Sequence, residues 1–211
     1  MKLQIALDVW SLKEAFSILE EIAPNIDIIE AGTPLVVNEG INSLRQIKER
    51  YPNKLFVIDA KIADEYYIAK KAFDAKADFT TVLGILSDES VKAAIDIGKQ
   101  EGKEVIVDLM NVKNKIKRAQ EVKKLGANYV LVHCGIDEQK SGKTPLGELI
   151  SLKKNVDINV AVAGGINLDT IDDYIKAKAD IIVVGGALIK NSDRREISKA
   201  MKDKISKAEE N

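Results

Sequence analysis

Asp59, Lys61 and Asp64 form an Asp-x-Lys-x-x-Asp pattern at the end of an apolar run. Asp59 and Lys61 are two residues apart, so a strand sends both side chains to the same face. Charged groups on a buried face need partners or a chemical task. An ammonium between carboxylates can neutralise them and can stabilise an oxyanion that develops in a reaction. The alternative for Asp64 is structural, as the N-cap of the following helix.

Further charged residues stand where other apolar runs end, namely Asp8, Glu30, Asp108 and His133. If these runs are strands of one parallel barrel, their ends converge at one mouth. Glu30 and Asp59 then offer two carboxylates to Mg²⁺, which prefers oxygen ligands and would polarise a carbonyl or stabilise an enediolate. His133 is the one histidine of the chain and becomes a candidate general acid or base. Any one of these charges could instead belong to a solvated loop.

Two glycine pairs, Gly164-Gly165 and Gly185-Gly186, follow the last two apolar runs. Glycine lets backbone N–H groups come close to an anion. Barrels of this kind frequently bind phosphate at the loops after the seventh and eighth strands. A tight turn between strand and helix would explain a single pair, but pairs at both positions favour phosphate. The sequence therefore predicts a small phosphorylated metabolite as the ligand.

The elements that would position these residues repeat along the chain. Short apolar, β-branched runs have the length of strands and the near-continuous character of parallel strands covered on both faces. The predicted strands are Leu3–Leu7, Ile26–Glu30, Leu55–Asp59, Phe79–Leu83, Glu104–Leu109, Tyr129–His133, Asn159–Ala163 and Asp180–Val184. Helical spacing between them predicts an α/β fold, a (β/α)₈ TIM barrel that forms a single domain over residues 1–211. An open doubly wound sheet would more often carry a glycine-rich loop after its first strand, and Asp8-Val9-Trp10-Ser11 has no glycine.

Capping residues and apolar spacing predict the helices. Ser11 begins one with Glu14 completing a capping box, and Ser87 begins another. A third is expected to start at Asn38 and to close before Pro52. The remaining predictions are helices over Val112–Leu125, Leu168–Lys178 and Asp193–Lys207, a long active-site loop with a short helix between His133 and Val160, and a charged, frayed tail over Lys204–Asn211.

Composition excludes several classes of protein. The chain has 211 residues, of which 45% are hydrophobic and 31% charged, so it is neither disordered nor a disulfide-stapled mini-protein. A net charge of −1 gives no basic excess for nucleic acid or an anionic membrane. Cys134 is the one cysteine, which excludes an internal disulfide, and a single histidine excludes multi-histidine zinc sites. No targeting or membrane-spanning segment is visible, and we expect a cytoplasmic protein.

The Asp59, Lys61 and Asp64 pattern, together with Asp8 and both glycine pairs, resembles the orotidine 5′-monophosphate decarboxylase suprafamily. Within it, the chain is similar to the 3-hexulose-6-phosphate synthases from residue 3 to about residue 197. The stretches that carry this resemblance are 3–8, 29–34, 59–64, 132–139, 161–166 and 183–186.

The resemblance implies a Mg²⁺-dependent aldol lyase that reversibly joins D-ribulose 5-phosphate and formaldehyde to give D-arabino-3-hexulose 6-phosphate. It implies Mg²⁺ on Glu30 and Asp59, and His133 as the base that removes the C1 proton. Lys61 is implied to stabilise the resulting enediolate as a charged donor, without a Schiff base. The resemblance further places the substrate phosphate on Gly165, Gly185 and Gly186, and gives Asp8 and Asp108 the task of positioning the lysine and the substrate hydroxyls.

The resemblance also implies a homodimer in which Asp64 reaches the active site of the partner subunit. Two stretches depart from the usual pattern. Glu65-Tyr66-Tyr67 is bulky and acidic where the synthases usually have small residues at the subunit contact. Ala75-Lys76-Ala77-Asp78 replaces a turn that contains glycine in relatives, and we expect a small loss of stability at that helix end.

Two alternatives stay open at this point. The sister family, the 3-keto-L-gulonate-6-phosphate decarboxylases, shares the acids, the lysine and the histidine. It typically has arginine at the positions of Ile136 and Gly186, threonine at Ala163 and glutamate at Asp108, so all four residues favour the synthase. Orotidine 5′-monophosphate decarboxylase itself would leave Glu30 unexplained. The alternative of another class is a non-catalytic barrel that binds a sugar phosphate, and the intact Asp59, Lys61 and His133 set argues against it.

Overall fold

The computed structural model describes residues 1–210, apart from the side chains of Ile136 and Asp137, and shows a closed barrel of parallel strands. The strands are β1 (Lys2–Leu7), β2 (Ile28–Ala31), β3 (Leu55–Ile62), β4 (Phe79–Leu83), β5 (Glu104–Asp108), β6 (Tyr129–His133), β7 (Asn159–Ala163) and β8 (Ile181–Val184). Each strand pairs with the next, and β8 pairs with β1. The predicted (β/α)₈ TIM barrel is confirmed, and the open doubly wound sheet is excluded.

Helices fill the connections between the strands. They are α1 (Leu12–Ile22), α2 (Thr33–Glu39), α3 (Arg45–Arg50), α4 (Ile68–Asp74), α5 (Asp88–Gln100), α6 (Lys115–Leu125), α7 (Ile136–Lys140), α8 (Leu146–Asn155), α9 (Ile171–Lys176), α10 (Gly186–Ile189) and α11 (Arg194–Glu209). Short 3₁₀ turns lie at Ala23–Asn25 and Ile41–Leu44. Among the residues described, no helix is both long and apolar enough to cross a membrane.

Two apolar layers hold the barrel together. Side chains such as Ile28, Val57 and Leu131 point inward and form a plug inside the barrel. Side chains of the same strands that point outward, such as Ile29 and Ile58, pack against the surrounding helices. Because both faces are covered, most of each strand is apolar in the sequence. The next inward positions of β2 and β3 above this plug are occupied by carboxylates.

The helix starts predicted at Ser11 and Ser87 are confirmed. Ser11 Oγ accepts a hydrogen bond from the Glu14 N–H, and Ser87 Oγ accepts one from the Ser90 N–H. The helix predicted to start at Asn38 is wrong, because Asn38 lies inside α2, which begins at Thr33. Gly40, with φ of 73°, ends α2 before the next turn begins. Pro34 in the first turn of α2 was the signal for the earlier start.

Two other expectations need correction. The segment after His133 holds two helices, α7 and α8, rather than a long loop with one short helix. The tail predicted to be frayed is helical to Glu209, with Met201 and Ile205 buried and a contact from Glu209 to the ammonium group of Met1. The spacing of these apolar residues by four carried that signal. Asn211 lies outside the described residues.

The lower, N-terminal end of the barrel carries three aspartates, each just before a strand. Each carboxylate accepts a backbone N–H from a neighbouring strand and an ion pair from a lysine. Asp27 pairs with Lys202 at 2.7 Å, Asp78 with Lys48 at 2.7 Å and Lys103 at 2.8 Å, and Asp180 with Lys153 at 2.9 Å. The backbone donors are the N–H groups of Leu3, Phe56 and Val160. Each aspartate therefore joins two strands or a strand and a helix through neutralised charge.

Asp78 and Asp180 close two copies of one short sequence, Ala-Lys-Ala-Asp, at 75–78 and 177–180. The lysine of each copy, Lys76 or Lys178, has a left-handed backbone, with φ of 68° and 58°. At the corresponding end of α6 that position is Gly126, with φ of 100°. A residue with a Cβ is strained in this conformation, and glycine is not.

Candidate active site

A cavity of about 560 Å³ opens at the C-terminal mouth of the barrel, above the apolar plug. It is lined by most of the residues predicted from the sequence, namely Asp8, Glu30, Asp59, Lys61, His133, Gly165, Gly185 and Gly186. Asp108 does not line it but lies directly behind Lys61 and His133. The structure therefore gathers residues that are far apart in the sequence around one cavity.

Lys61 bridges two carboxylates. Its Nζ lies 3.0 Å from Asp59 Oδ2 and 3.1 Å from Asp108 Oδ2. Regular strand alternation does not bring these groups together, because the pairing of β3 with β4 shifts between Ile58 and Ile62. Lys61 has a φ of 41°, a left-handed conformation that costs energy for a residue with a Cβ. The prediction that the two side chains share a face holds, but an irregular strand produces it.

Asp59 is held rigidly by two threonines that the sequence analysis missed. Thr81 Oγ1 donates to Asp59 Oδ1 at 2.7 Å, and Thr33 Oγ1 donates to Asp59 Oδ2 at 2.8 Å. The same Thr81 oxygen accepts the backbone N–H of Lys61 at 2.9 Å. The two hydroxyls therefore fix both the carboxylate and the strained residue that follows it. A threonine inside or just after an apolar run carries no signal of such a role.

The ammonium group of Lys61 is charged at neutral pH. Burial alone would lower the pKa of Lys61, but the charges of Asp59 and Asp108 outweigh it and raise that pKa above its ordinary value. A lysine that stays protonated is a donor and a positive charge, and it is not a nucleophilic amine. This agrees with the predicted role without a Schiff base.

Asp108 orients His133. The Asp108 carboxylate is fully buried, its Oδ1 accepts the Met110 N–H at 2.9 Å, and its Oδ2 lies 3.5 Å from His133 Nδ1. Burial alone would raise the pKa of Asp108, but the contacts with His133 and Lys61 and the Met110 amide lower it below its ordinary value. An ionised Asp108 favours the proton of a neutral His133 on Nδ1, which leaves Nε2 as the basic atom.

Glu30 lies in an environment that opposes its charge. It is 8% exposed on β2, and Gln4 Nε2 donates to its Oε2 at 2.5 Å. Burial raises the pKa of Glu30 well above its ordinary value, and the charges of Asp59 and Asp8 raise it further. The neighbouring carboxylates at the mouth of the barrel therefore oppose the ionisation of Glu30.

The backbone at Gly32 lies close to the side chain of Asp8. Asp8 follows β1 and lines the cavity, and burial together with the charge of Asp59 raises the pKa of its carboxyl. A Cβ atom at Gly32 would collide with Asp8 Oδ1 and would crowd the Leu7 carbonyl. Gly32 therefore leaves the room that the Asp8 carboxylate occupies.

The glycine end of the cavity combines open backbone with a lysine. Gly164 and Gly165 have φ of 119° and 71°, and a Cβ at Gly164 would collide with the Cys134 carbonyl. Lys190 lines the same cavity, with its Cε 3.9 Å from the place that a Cβ of Gly186 would occupy. Exposed amides and an ammonium group suit an anion such as phosphate. Lys190 was missed because nothing in its sequence neighbourhood sets it apart from other lysines.

Asp64 is not brought into the cavity of its own chain. It is exposed in the loop between β3 and α4, and α4 begins only at Ile68 with Tyr67 as its N-cap residue. The structural alternative for Asp64, an N-cap, is therefore wrong. Tyr66 and Tyr67 in the same loop are 46% and 47% exposed. The role of Asp64 in a partner subunit stays a prediction.

Comparison with known proteins gives a consistent result. The model of the orotidine 5′-phosphate decarboxylase / HUMPS family matches residues 1–201. The 3-hexulose-6-phosphate synthase of Bacillus subtilis is 40% identical over 207 residues, which is 97% of this chain and 99% of that protein.

Solved structures agree with this. The crystal structure of 3-hexulose-6-phosphate synthase from Salmonella typhimurium has a TM-score of 0.96 at 36% identity and covers 99% of this chain and 100% of that chain. A crystal structure of KGPDC from Streptococcus mutans has a TM-score of 0.90 at 25% identity and covers 98% of both chains. These matches confirm the predicted resemblance, and they confirm that the chain is an enzyme, a carbon–carbon lyase.

Proposed function

Because the chain belongs to the orotidine 5′-phosphate decarboxylase / HUMPS family, we propose that it is a 3-hexulose-6-phosphate synthase that condenses D-ribulose 5-phosphate with formaldehyde. The product is D-arabino-3-hexulose 6-phosphate. The observation that carries the proposal is one connected group of side chains. Asp108 contacts both Lys61 and His133, and Lys61 also contacts Asp59 beside Glu30 in one cavity.

The chemistry begins with proton removal. Nε2 of His133 takes the proton from C1 of D-ribulose 5-phosphate, and the electron pair of that C–H bond forms an enediolate. The ammonium group of Lys61 stabilises its negative oxygen, as a charged donor placed in advance by two carboxylates. C1 then attacks the carbonyl carbon of formaldehyde, and the C2 ketone re-forms. The former formaldehyde oxygen takes up the proton that His133 carries. One carbon–carbon bond forms, and no carbon is lost.

Glu30 and Asp59 are the residues that would hold Mg²⁺. Both are carboxylates on the same cavity, the oxygen ligands that Mg²⁺ prefers. Burial, and after it the charge of Asp59, raises the pKa of Glu30, so a bound cation would favour the charged form of this carboxylate. In the described part of the chain, no cluster of three or more His, Cys, Asp or Glu could hold a metal alone, so water and substrate oxygens would complete its shell. When bound, Mg²⁺ supplies a Lewis acid at the reacting end.

The phosphate group would bind at the other end of the cavity. Gly165, Gly185 and Gly186 line that end and would offer their backbone N–H groups, and Lys190 would add a positive charge. Asp8, next to Gly185 and Gly32, would accept hydrogen bonds from substrate hydroxyls between the two ends.

Decarboxylation of 3-keto-L-gulonate 6-phosphate is the second candidate, since KGPDC shares the fold. Two of the positions that distinguish the sister family line the cavity here as Ala163 and Gly186, neither of which can contact a carboxylate through a charged side chain. Asp108 occupies a third position. The fourth, Ile136, has its side chain outside the described residues. These residues favour the synthase.

We further propose a homodimer in which Asp64 enters the active site of the partner subunit. The exposed Asp64 beside Tyr66 and Tyr67 is available for such a contact. A mixture of Lys61→Ala and Asp64→Ala variants, each inactive alone, should regain part of the activity if each site needs residues from both chains. Two separately inactive variants that stay inactive after mixing would contradict the shared site.

The central experiment measures the loss of D-ribulose 5-phosphate with and without formaldehyde, each with and without Mg²⁺. We expect consumption that needs formaldehyde and increases with Mg²⁺. In D₂O without formaldehyde, the wild type should exchange the C1 hydrogen, and His133→Gln should slow this exchange by about 10²-fold or more. Release of CO₂ from 3-keto-L-gulonate 6-phosphate, without formaldehyde-dependent consumption, would favour the sister reaction instead.

A further inference from the structure

Gln4 is a polar residue in an apolar part of the barrel. It is 4% exposed on the inward face of β1, where Ile28 and Val183 are its partners on the neighbouring strands. Ile181 and Val57 belong to the same internal plug. An amide in such surroundings loses its hydration and needs hydrogen bonds in return. An aliphatic side chain would meet the packing requirement of this position without that cost.

The amide of Gln4 is satisfied on one side only. Its Nε2 donates to Glu30 Oε2 at 2.5 Å. Its Oε1 is buried and, within residues 1–210, has no hydrogen-bond partner. A buried acceptor without a hydrogen-bond partner destabilises the folded state. Gln4 therefore donates a hydrogen bond to Glu30 while its own Oε1 stays without a hydrogen bond, which is unfavourable.

Glu30 and Asp59 differ in how they are held. Asp59 has hydroxyl donors on both oxygens, from Thr33 and Thr81, and Lys61 as an ion-pair partner. The hydrogen bond made by the Glu30 carboxylate within the described side chains comes from Gln4. This bond occupies Oε2 and leaves Oε1 for another ligand. The orientation of Glu30 thus depends on one neighbour.

We propose that Gln4 is a positioning residue that holds the Glu30 carboxylate in the orientation in which it binds a divalent cation. This inference rests on the proposed function, which gives Glu30 the role of a metal ligand. Gln4 touches neither substrate nor cation and acts through Glu30. It fixes the rotamer and supplies a donor that favours the charged form of the ligand, as outer-shell partners of metal ligands do.

A positioning role and a structural role make different predictions. If Gln4 only fills space, its replacement changes stability and leaves the affinity for the cation unchanged. If it positions Glu30, its replacement weakens the affinity while the barrel stays folded. Thr80 provides a matched control, since it is also buried on a barrel strand, donates to the Ile58 carbonyl at 2.9 Å and is absent from the cavity lining.

The test is titration calorimetry with Mg²⁺ alone, and with Mn²⁺ as a second probe, on the whole chain. Gln4→Met keeps the volume and removes the donor, and we expect it to weaken cation affinity by about tenfold or more. Thr80→Val should bind the cation like the wild type, although it unfolds at lower denaturant concentration. Gln4→Asn keeps an amide but shortens the reach, so it should lie between Gln4→Met and the wild type. It also serves as the second variant if Gln4→Met does not fold.

Activity gives an independent readout. The Mg²⁺ concentration that gives half-maximal activity should rise for Gln4→Met, while kcat at saturating Mg²⁺ stays within about threefold of the wild type. Folded Gln4 variants with unchanged cation affinity would overturn the inference and leave the metal site intact. A wild type that binds neither cation, with Glu30→Gln behaving identically, would overturn the metal site and the inference with it.

Discussion

The two ends of this barrel use the same residue types for opposite purposes. At the lower end, Asp27, Asp78 and Asp180 each receive a backbone N–H and a lysine. At the mouth, Glu30 and Asp8 face other carboxylates. Burial alone would raise the pKa of Asp78, but Lys103, Lys48 and the Phe56 N–H lower it, whereas burial and neighbouring acids raise the pKa of Glu30. The lower end stabilises the fold, and the mouth maintains an imbalance that a ligand can relieve.

The same substitution at each end should give the largest contrast. Lys61→Ala removes the ammonium between Asp59 and Asp108, and we expect turnover to fall by about 10³-fold. Its matched control is Lys103→Ala, which removes a partner of Asp78 at the lower end and should leave turnover unchanged. Steady-state kinetics with D-ribulose 5-phosphate and formaldehyde measures both. Equal losses of turnover in the two variants would show that the loss reflects stability and not chemistry.

Within the mouth, Lys190→Ala should affect binding more than chemistry. Removal of one positive charge from the glycine end should raise KM for D-ribulose 5-phosphate by about tenfold with little change in kcat. Lys92, which pairs with Asp96 on α5, offers a surface control, and Lys92→Ala should leave both constants unchanged. Inhibition by inorganic phosphate should weaken in parallel with KM. A fall in kcat alone would place Lys190 nearer to the reacting carbons than proposed.

The pH dependence of stability should have opposite sign at the two ends. The stabilisation from Asp78, whose pKa is lowered on folding, is present above its unfolded pKa and is lost as pH falls through the folded value. The pKa of Glu30 in the folded protein is raised well above its ordinary value of 4.5. The stabilisation from protonated Glu30 is therefore present below that value and is lost as pH rises through the folded pKa.

Metal-free Glu30→Gln should therefore lose less stability than the wild type as pH rises above 4.5. Asp78→Asn should be less stable than the wild type at neutral pH, and this difference in stability should disappear at low pH. Urea unfolding of both variants across this range measures the slopes. If the free energy of unfolding changed with pH equally in the wild type and in Glu30→Gln, the environment of Glu30 would not oppose its ionisation.

The smallest expected effect concerns the lower-end turns. Lys76→Gly should stabilise the fold by about 0.5–1 kcal/mol, because glycine adopts the left-handed backbone without strain. Lys178→Gly tests the second copy of the turn. The control is Gly126→Ala, which should destabilise, since that position already holds glycine with φ of 100°. The denaturant concentration at the unfolding midpoint measures the change in stability. A loss of stability in both lysine variants would contradict the conclusion that the left-handed backbone at these lysines is strained.

Much of the architecture could be read from the sequence because strands covered on both faces leave continuous apolar runs. The acids at strand ends were found by the same logic, since all strand ends meet at one mouth. The irregular path of β3 at Lys61 could not be predicted, because no glycine marks its left-handed residue. Thr33, Thr81 and Gln4 were missed since neutral side chains become informative only when their partners are known.

The errors in helix boundaries have a similar origin. The start of α2 was set by Pro34, while the sequence interpretation gave more weight to Asn38 as a cap. The tail was judged by its charge, whereas Met201 and Ile205 place one face of α11 against the barrel. Local polarity misled in both cases, because burial depends on one face of a helix rather than on its average composition.

A single oxygen atom, Oδ2 of Asp108, contacts both Lys61 Nζ and His133 Nδ1. In the proposed mechanism, His133 and Lys61 therefore share one counter-ion. A proton gained by the imidazole would strengthen its attraction to this oxygen and weaken the ion pair with the Lys61 ammonium group, which would then be freer to stabilise the enediolate. Asp108→Glu, which adds one methylene, would shift this oxygen relative to both partners at once.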